Sequence, residues 1–259
     1  MSQIKIIFFD VDGTLIDMRK GKISDRTLGT LKSLQANDYI LCLATGRGPL
    51  ALPRFEDFEF DAYLTFNGSY CFDKEQTLLS NPIPKTEIDR LVRNAINLKR
   101  PLSIASDKLM VANGKDQDLV DYFAFAHQEV VVSEDFERVV AESDIYQIMM
   151  GLRERDYPVM MEGIQQAKIT AWWDRAVDII PANGGKGNGV RHILEKYQLD
   201  ASQAMAFGDG NNDIELLQTV GLGVAMANAS DDLKAVADDQ CGHVAEDGVY
   251  HYCKAMGLI

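Results

Sequence analysis

The chain has 259 residues, 46% of them hydrophobic, which is enough for one large domain or for a core domain with an insertion. Its formal net charge of −13 at pH 7 repels the phosphate backbone of nucleic acids and the anionic face of membranes, so we expect neither as a general partner. A small anionic ligand would need a local positive site, made by a metal ion or by a few placed lysines and arginines.

The cysteines give no sign of a disulfide framework or a zinc site. They are far apart, form no Cys-x-x-Cys pair and have no histidine at zinc-finger spacing, which favours buried thiols. The N-terminal apolar run is interrupted by Asp10, and no later run approaches the roughly 18 apolar residues of a membrane span. We therefore expect a cytoplasmic protein.

The first 80 residues alternate between short apolar runs and amphipathic stretches, which is the pattern of a parallel sheet with crossover helices. Strands are predicted at residues 4–9, 39–44 and 62–66. Ser24 is the predicted N-cap of a helix between the first two strands, and Asn37-Asp38 is its predicted end.

From about residue 82 strands and helices are clustered without strict alternation, which predicts an inserted α+β module. Its predicted elements are helices near residues 88–96 and 116–126, a hairpin of residues 102–106 and 109–112, and strands at residues 145–151, 169–173 and 177–180.

After Gly184-Gly185 the alternating pattern resumes, so the chain is predicted to be one α/β domain interrupted by a second. The predicted elements of this last part are helices at residues 188–197 and 211–219 and strands at residues 204–207 and 222–225. The predicted fold is therefore an α/β, Rossmann-like parallel-sheet core of residues 1–81 and 183–259, with residues 82–182 inserted.

Polar clusters follow four of the predicted core strands. In open parallel sheets, ligands bind in the crevice beyond the carboxyl ends of the strands, so these clusters are expected to meet at one edge. The clusters are Asp10-Val11-Asp12, Thr45-Gly46-Arg47, Asn67-Gly68 and residues 208–213, Gly-Asp-Gly-Asn-Asn-Asp.

Each cluster alone has a simpler interpretation. An Asp-x-Asp-Gly segment is a common turn, although a calcium loop starting at Asp10 is excluded because it would need glycine at Leu15 and glutamate at Gly21. The glycine-rich residues 184–189 could be a flexible linker in which Lys186 is solvated.

Taken together, the clusters favour a site for a metal ion and a phosphate. Asp10, Asp209 and Asp213 supply the hard oxygen ligands that Mg²⁺ prefers, and the metal would allow crowded carboxylates to stay ionised. Thr45, Asn212 and the cation of Lys186 could then hold a phosphate group.

The segments "DVDGTL", "ATGR", "GGKGNG" and "GDGNND", in this order, resemble the four signature motifs of the haloacid dehalogenase superfamily, the aspartate-nucleophile phosphohydrolases. The insertion between the second and third motifs resembles the type II cap of the Cof-like branch. The resemblance covers the full chain and implies a phosphatase that requires Mg²⁺.

The resemblance also implies a role for each acid. Asp10 would attack phosphorus and form an aspartyl-phosphate, and Asp12 would protonate the leaving alcohol and then deprotonate water. Asp209 would ligate Mg²⁺ together with Asp10 and the backbone carbonyl of Asp12, while Asp213 would orient the water shell of the metal.

The remaining motif residues are implied to contact the substrate. Thr45 and Lys186 would bind the phosphoryl oxygens, and Asn212 would contact the phosphate. Gly46 is also predicted to lie at the phosphate. Arg47 and Asn67 are weaker carry-overs from the family pattern, as substrate contacts or as structural residues of the loops.

The expected substrate is a small phosphorylated metabolite, with a sugar phosphate as the best candidate, and the expected assembly is a monomer or a homodimer. The candidate substrate contacts in the insertion, for which simple packing is an alternative, are Trp172, Trp173, Asp174 and Arg175.

Two other functions are open to such a chain. A sugar phosphomutase of the same superfamily would carry the same motifs but return the phosphoryl group to sugar. A response-regulator receiver also surrounds a phosphorylated aspartate with acids, a threonine and a lysine, but receivers are about half this length and their aspartate follows the third strand.

Overall fold

The computed structural model of the chain describes residues 3–125, 128–171 and 173–259, which divide into two compact units. The first unit contains the chain up to Gly46, Pro53–Leu79 and Gly185–Ile259, and the second contains Arg47–Leu52 and Ser80–Gly184. The boundaries predicted from the sequence lie after residue 81 and before residue 183. That the first unit is the core and the second a cap stays a prediction.

The strands of the described residues are, in chain order, β1 (Ile6–Phe9), β2 (Ile16–Asp17), β3 (Lys22–Ile23), β4 (Ile40–Ala44), β5 (Ala62–Thr65), β6 (Tyr70–Asp73), β7 (Thr77–Ser80), β8 (Leu102–Ala105), β9 (Met110–Ala112), β10 (Gln147–Gly151), β11 (Ala167–Thr170), β12 (Ala176–Pro181), β13 (Ala204–Gly208), β14 (Leu222–Ala225) and β15 (Asp239–Gln240).

The α-helices of the same residues are α1 (Asp25–Ala36), α2 (Lys85–Asn97), α3 (Gln117–Phe125), α4 (Phe136–Glu142), α5 (Tyr157–Met160), α6 (Lys186–Tyr197), α7 (Ile214–Thr219), α8 (Asp231–Val236) and α9 (Gly248–Ala255). Across these helices, none combines the length and the apolar character that a membrane crossing needs.

The large sheet has the strand order β15-β14-β13-β1-β4-β5-β6-β7. From β15 to β5 neighbouring strands are parallel, and β6 runs antiparallel to β5. All four residues of β1 are fully buried, so both faces of the sheet are covered at its centre, as is usual for parallel sheets. The predicted α/β class, with a Rossmann-like parallel sheet, is confirmed.

Helix α1 begins and ends where the sequence predicts. The side chain of Ser24 accepts a hydrogen bond from the backbone N–H of Thr27 at 3.0 Å, which satisfies one of the unpaired N–H groups of the first turn. Leu31 and Leu34 are fully buried on the inner face of the helix, and Asn37 is its C-cap.

The second unit has an antiparallel sheet of order β11-β12-β10-β8-β9. The predicted hairpin of β8 and β9 is present, and the hydroxyl of Ser106 accepts hydrogen bonds from the N–H groups of Lys108 and Leu109 in its turn. The strand predicted at residues 169–173 lies earlier, at β11. The candidate substrate contact Trp172 is outside the described residues.

Around Asp118 on α3, three arginines converge on one carboxylate. Arg100 and Arg153 donate to Asp118 Oδ2 at 2.6 and 2.8 Å, and Arg175 Nη1 lies 3.9 Å from Asp118 Oδ1. The guanidinium of Arg175 also lies 4.1 Å from the ring centroid of Trp173, a cation–π contact. Two of the candidate substrate residues, Trp173 and Arg175, thus contact each other within their own unit, and a substrate contact for either stays a prediction.

We expect Asp118→Asn to lower the free energy of unfolding at pH 7 by about 1–3 kcal/mol, because charge-assisted hydrogen bonds to a poorly exposed carboxylate are lost. The hydrogen bond from Arg153, and after it that from Arg100, lowers the pKa of Asp118 against the opposing effect of burial. This contribution is therefore present above the ordinary aspartate pKa of about 4, and it is lost as the pH falls through the lowered pKa.

Urea unfolding at pH 7 and at pH values below about 4 measures both effects. The matched control is Asp135→Asn, since Asp135 makes an i,i+3 pair with Arg138 in which its side chain is 63% exposed. The control is expected to change little. An equal loss in the two variants, or a loss at Asp118 that does not depend on pH, would show that the cluster adds nothing to stability.

Candidate active site

Asp10 directly follows β1, at the carboxyl end of the central strand of the parallel sheet. Its backbone N–H donates to the carbonyl of Phe207 on β13 at 3.0 Å, and the chain then turns so that the N–H of Ile16 reaches the carbonyl of Val11 at 2.9 Å. Asp12 is close enough for its charge to raise the pKa of Asp10. Both acids of "DVDGTL" therefore lie at the edge where ligands bind in such sheets.

Lys186 is the first residue of α6, and its side chain is completely buried. Its ammonium donates to Asp10 Oδ1 at 2.6 Å and to Asp213 Oδ1 at 2.5 Å. Residues separated by 176 positions in the sequence thus form one ion-paired group. The interpretation of residues 184–189 as a linker with a solvated lysine was wrong.

The glycines around Lys186 allow close packing. A Cβ atom at Gly187 would lie 2.6 Å from Thr219 Oγ1, and one at Gly189 would lie 2.5 Å from Leu64 Cδ1. Helix α6 therefore packs directly on α7 and β5, and it begins two residues earlier than predicted because these glycines are part of it. This packing fixes the position of the Lys186 side chain.

Asp213 and Asp209 are joined by the turn before α7. Asp213 Oδ2 accepts hydrogen bonds from the N–H groups of Asp209 and Gly210 at 3.0 and 3.1 Å. Asp209 Oδ1 accepts from the hydroxyl of Thr14 at 3.3 Å. Gly13 has a φ of +91°, and a Cβ there would lie 2.0 Å from Asp209 Oδ2, so only glycine allows this approach.

Asp10, Asp209 and Asp213, here called the acidic group, carry more negative charge than Lys186 can balance. Asp10, Asp209 and Asp213 each offer a carboxylate oxygen, and these oxygens lie within 4.8 Å of one another. Three carboxylates and the ammonium of Lys186 leave two negative charges in a buried place. Carboxylates that share such a site take up protons unless a cation is present.

The pKa values show the same imbalance. Burial, and after it the charge of Asp213, raises the pKa of Asp10 to about 7 although Lys186 lowers it. Burial and the charges of Asp10 and Asp213 raise the pKa of Asp209 to about 9. Burial alone would lower the pKa of Lys186, but the two carboxylates outweigh it, so the pKa is raised and the lysine is charged. These oxygen donors and this charge fit a divalent cation such as Mg²⁺.

Asn67 connects the other predicted phosphate-binding residues. Its backbone N–H donates to the carbonyl of Thr45 at 3.1 Å, and its carbonyl accepts from the N–H of Gly185 at 3.0 Å. Its side-chain oxygen accepts from Asn212 Nδ2 at 3.1 Å. Residues of the second, third and fourth motifs are therefore tied to one buried asparagine.

The turn that contains Asn67 has an unusual backbone. Phe66, Asn67 and Gly68 have φ values of +50°, +51° and +83°. A left-handed conformation costs a residue with a side chain on the order of 1–3 kcal/mol, and such strain is concentrated at functional sites. A Cβ at Gly68 would lie 2.2 Å from the carbonyl oxygen of Gly185, so the turn reaches the start of α6 as closely as a backbone can.

Gly46 and Arg47, the two residues that follow Thr45, fall in different units. At Gly46 a Cβ would lie 3.2 Å from the side-chain amide of Asn67, which places Gly46 at this site. Arg47 belongs to the second unit, where its Nη1 donates to the carbonyl of Ala51 at 3.2 Å. A substrate contact for Arg47 stays a prediction.

Sequence reasoning gave no role to two residues that contact Asp209. Thr14 lies inside "DVDGTL", and Asn228 lies inside the segment "VAMANA" after β14. Both segments carry the family resemblance, but that resemblance gave neither residue a role, and contacts over 195 and 19 positions cannot be read from local pattern.

Comparison with known proteins defines the class of the chain as a hydrolase. A family model described as haloacid dehalogenase-like hydrolase matches residues 7–253. The chain therefore belongs to the haloacid dehalogenase-like hydrolase family, and the resemblance of its four motifs is confirmed.

Full-length relatives narrow the class to the phosphatases of this family. The putative phosphatase YkrA of Bacillus subtilis (strain 168) is 29% identical over 256 residues, which are 98% of this chain and 98% of the relative. The phosphatase YitU of the same organism, named for 5-amino-6-(5-phospho-D-ribitylamino)uracil, is 27% identical over 266 residues, with 96% of each chain covered.

A solved structure gives the same result. A sugar phosphatase of subclass IIB of the superfamily matches with a TM-score of 0.87 at 27% identity, over 98% of this chain and 100% of that chain. The protein is an enzyme of the phosphatase class.

Proposed function

We propose that the protein hydrolyses a small phosphomonoester in a Mg²⁺-dependent reaction, through an aspartyl-phosphate on Asp10. The observation that carries this proposal is the buried group in which the ammonium of Lys186 joins Asp10 and Asp213, with Asp209 close by. It offers a nucleophile, a fixed cation and oxygen ligands in one place.

The metal would be held by Asp10, Asp209 and the backbone carbonyl of Asp12, with Asp213 orienting its water shell. When bound, Mg²⁺ supplies positive charge that balances the acids and attracts the phosphate. This balance also explains why an acidic chain can bind an anion. The field of a net charge of −13 is overcome locally by the metal and by Lys186.

In the first step a carboxylate oxygen of Asp10 forms a bond to phosphorus, and the bond from phosphorus to the oxygen of the leaving alcohol breaks. Asp12 gives its proton to that oxygen, so the alcohol leaves in neutral form. Lys186 and Thr45 stabilise the charge on the phosphoryl oxygens in the transition state. The chain is left with a phosphorylated Asp10 and an ionised Asp12.

In the second step Asp12 takes a proton from water, and the water oxygen attacks phosphorus of the aspartyl-phosphate. The bond between phosphorus and Asp10 breaks, inorganic phosphate leaves, and both acids return to their starting states. Asn212, whose amide donates to the side chain of Asn67, would keep the phosphate oriented through the two steps.

The substrate that we propose is a phosphorylated sugar or a sugar-derived metabolite. Two similar proteins support this choice, since one is a sugar phosphatase and the other is named for a substrate with a phosphorylated ribityl chain. We further propose a cytoplasmic monomer or homodimer that binds neither nucleic acid nor membranes.

The experiment that tests the function is a phosphate-release assay of the purified protein with Mg²⁺ against a panel of phosphorylated metabolites. We expect EDTA to reduce phosphate release to background and added Mg²⁺ to restore it, because the acidic group is short of positive charge without the metal. Turnover that persists after thorough metal removal would contradict the metal assignment of Asp10 and Asp209.

The same assay separates the hydrolase from a phosphomutase. Incubation with a hexose 1-phosphate gives free phosphate if the protein is a hydrolase, and hexose 6-phosphate if it is a mutase. A receiver domain would hold its phosphate for seconds to hours without sustained release, and the family match over residues 7–253 gives that alternative no support.

A further inference from the structure

Asn228, between β14 and α8, uses its side-chain amide to connect three separate segments of the first unit. Its Nδ2 donates to the carbonyl of Gly13 at 2.8 Å and to Asp209 Oδ2 at 3.3 Å. Its Oδ1 accepts from the backbone N–H of Val244 at 3.0 Å. One amide therefore joins the turn after Asp12, the acid Asp209 and the segment before α9.

These partners fix the orientation of the amide. An amide nitrogen has two protons to donate and an amide oxygen only accepts, so turning the group over would set oxygen against the carbonyl of Gly13 and nitrogen against the N–H of Val244. The nitrogen must therefore face Asp209. Because a nitrogen that carries protons cannot ligate a cation, Asn228 acts toward a metal at Asp209 through its hydrogen bond to that carboxylate.

Asp209 is held from both sides by neutral donors. Thr14 donates to its Oδ1 and Asn228 to its Oδ2. Each bond removes rotational freedom from the carboxylate, and hydrogen bonds to a charged acceptor are stronger than those between neutral groups. The absence of a side chain at Gly13 leaves the space that Asp209 Oδ2 occupies.

We propose that Asn228 is a positioning residue that presents Asp209 to the metal ion and holds its carboxylate in register with the turn carrying Asp12. The inference rests on the proposed function, in which Asp209 is a ligand of Mg²⁺. When a residue that hydrogen-bonds to a metal ligand and orients it is removed, the metal affinity typically falls by about 10–100-fold. Asn228 is thus predicted to act on metal binding before any substrate is present.

The test is a thermal-shift titration of the purified protein with Mg²⁺ and without substrate. A ligand that binds only the folded state raises the unfolding temperature with its concentration, so the titration gives the metal affinity and, at zero metal, the stability. We expect Asn228→Ala to need about 10–100-fold more Mg²⁺ for the same shift. Asn228→Ser leaves a smaller void and keeps the comparison possible if the alanine variant folds poorly, and it is expected to move in the same direction.

The matched control is Asn37→Ala. Asn37 also donates its amide to a backbone carbonyl of the first unit, that of Leu258 at 2.9 Å, but its hydrogen bond does not involve the acids. The control should lose stability at zero metal and keep its Mg²⁺ affinity. If Asn228→Ala and Asn228→Ser bind Mg²⁺ as tightly as the wild type, the amide only supports the fold and the inference is overturned. If the wild type itself shows no Mg²⁺ binding, the proposed function fails, and this inference fails with it.

Discussion

Asp10→Asn is expected to lower phosphate release by at least about 10³-fold, because a neutral amide cannot attack phosphorus and form the covalent intermediate. The change keeps the size and shape of the side chain, and the amide oxygen can still accept a hydrogen bond from Lys186. A phosphate-release assay at saturating Mg²⁺ measures the loss. Turnover near that of the wild type would refute Asp10 as the nucleophile.

The fold should tolerate this change, and the pKa of Asp10 shows whether the change in folding stability is a gain or a loss. A pKa raised to about 7 means that the folded state disfavours the ionised form, so ionisation of Asp10 costs stability increasingly as the pH rises from about 4 to 7. We expect the metal-free variant to be at least as stable as the wild type at pH 8. The same acid that would make the reaction possible therefore weakens the fold.

Asp17→Asn is the matched control for this experiment. Asp17 is also poorly exposed, but it accepts hydrogen bonds from the backbone and the guanidinium of Arg19, which lower its pKa against the effect of burial. The control is expected to lose stability above pH 4 and to keep its turnover. For the same chemical change, Asp10→Asn is thus expected to lose activity and keep stability, whereas Asp17→Asn is expected to keep activity and lose stability.

Lys186→Met is expected to lower phosphate release by about 10²–10³-fold, because it removes a preorganised cation from the site where charge develops. In the absence of metal it should also lower the free energy of unfolding by about 3–5 kcal/mol, since breaking a buried ion pair leaves uncompensated charge. The loss should grow as the pH rises, because at lower pH the carboxylates take up protons in place of the ammonium. Urea unfolding at several pH values and a phosphate-release assay measure the two effects.

Lys196→Met on the same helix is the control. Its ammonium lies 3.6 Å from Asp73 Oδ2 and 3.8 Å from Glu75 Oε2, and its side chain is 29% exposed. A pair that is accessible to water contributes about 0–1 kcal/mol, so we expect a small change in stability and full turnover. If the two lysine variants lose activity equally, Lys186 is a helix residue with no particular role in phosphate transfer.

The acids and the lysine could be found from the sequence because each follows a local pattern. Asp10 comes at the end of an apolar run, and Asp209 and Asp213 stand in a glycine-rich turn after another. Parallel strands bring such ends to one edge, so their meeting follows from topology alone. That Lys186 is buried did not follow, because a lysine among glycines is typical of a flexible loop until the packing of Gly187 and Gly189 is known.

The residues that support the site could not be assigned in this way. Asn67 was predicted only as a substrate or loop contact after β5, and its hydrogen bond to Asn212, like the hydrogen bonds of Asn228, joins segments that are distant in the chain. An asparagine followed by a glycine, as Asn67 is, predicts only a turn. The same limit applies to β6 and β7, which went unpredicted. Strand β7 lies at the edge of the sheet and is only partly buried, so the apolar pattern that reveals an inner strand is weak there.

The ion pair between Lys186 and Asp10 closes a loop of 176 residues that contains the whole of the second unit. The entropy lost in closing a flexible loop grows only with the logarithm of its length, by about 0.6 kcal/mol for each doubling. The stability of the group of Asp10, Asp213 and Lys186 therefore depends little on the length of the segment between Leu79 and Gly185. Evolution could lengthen, shorten or exchange that segment while the acids and the lysine of the first unit stayed the same.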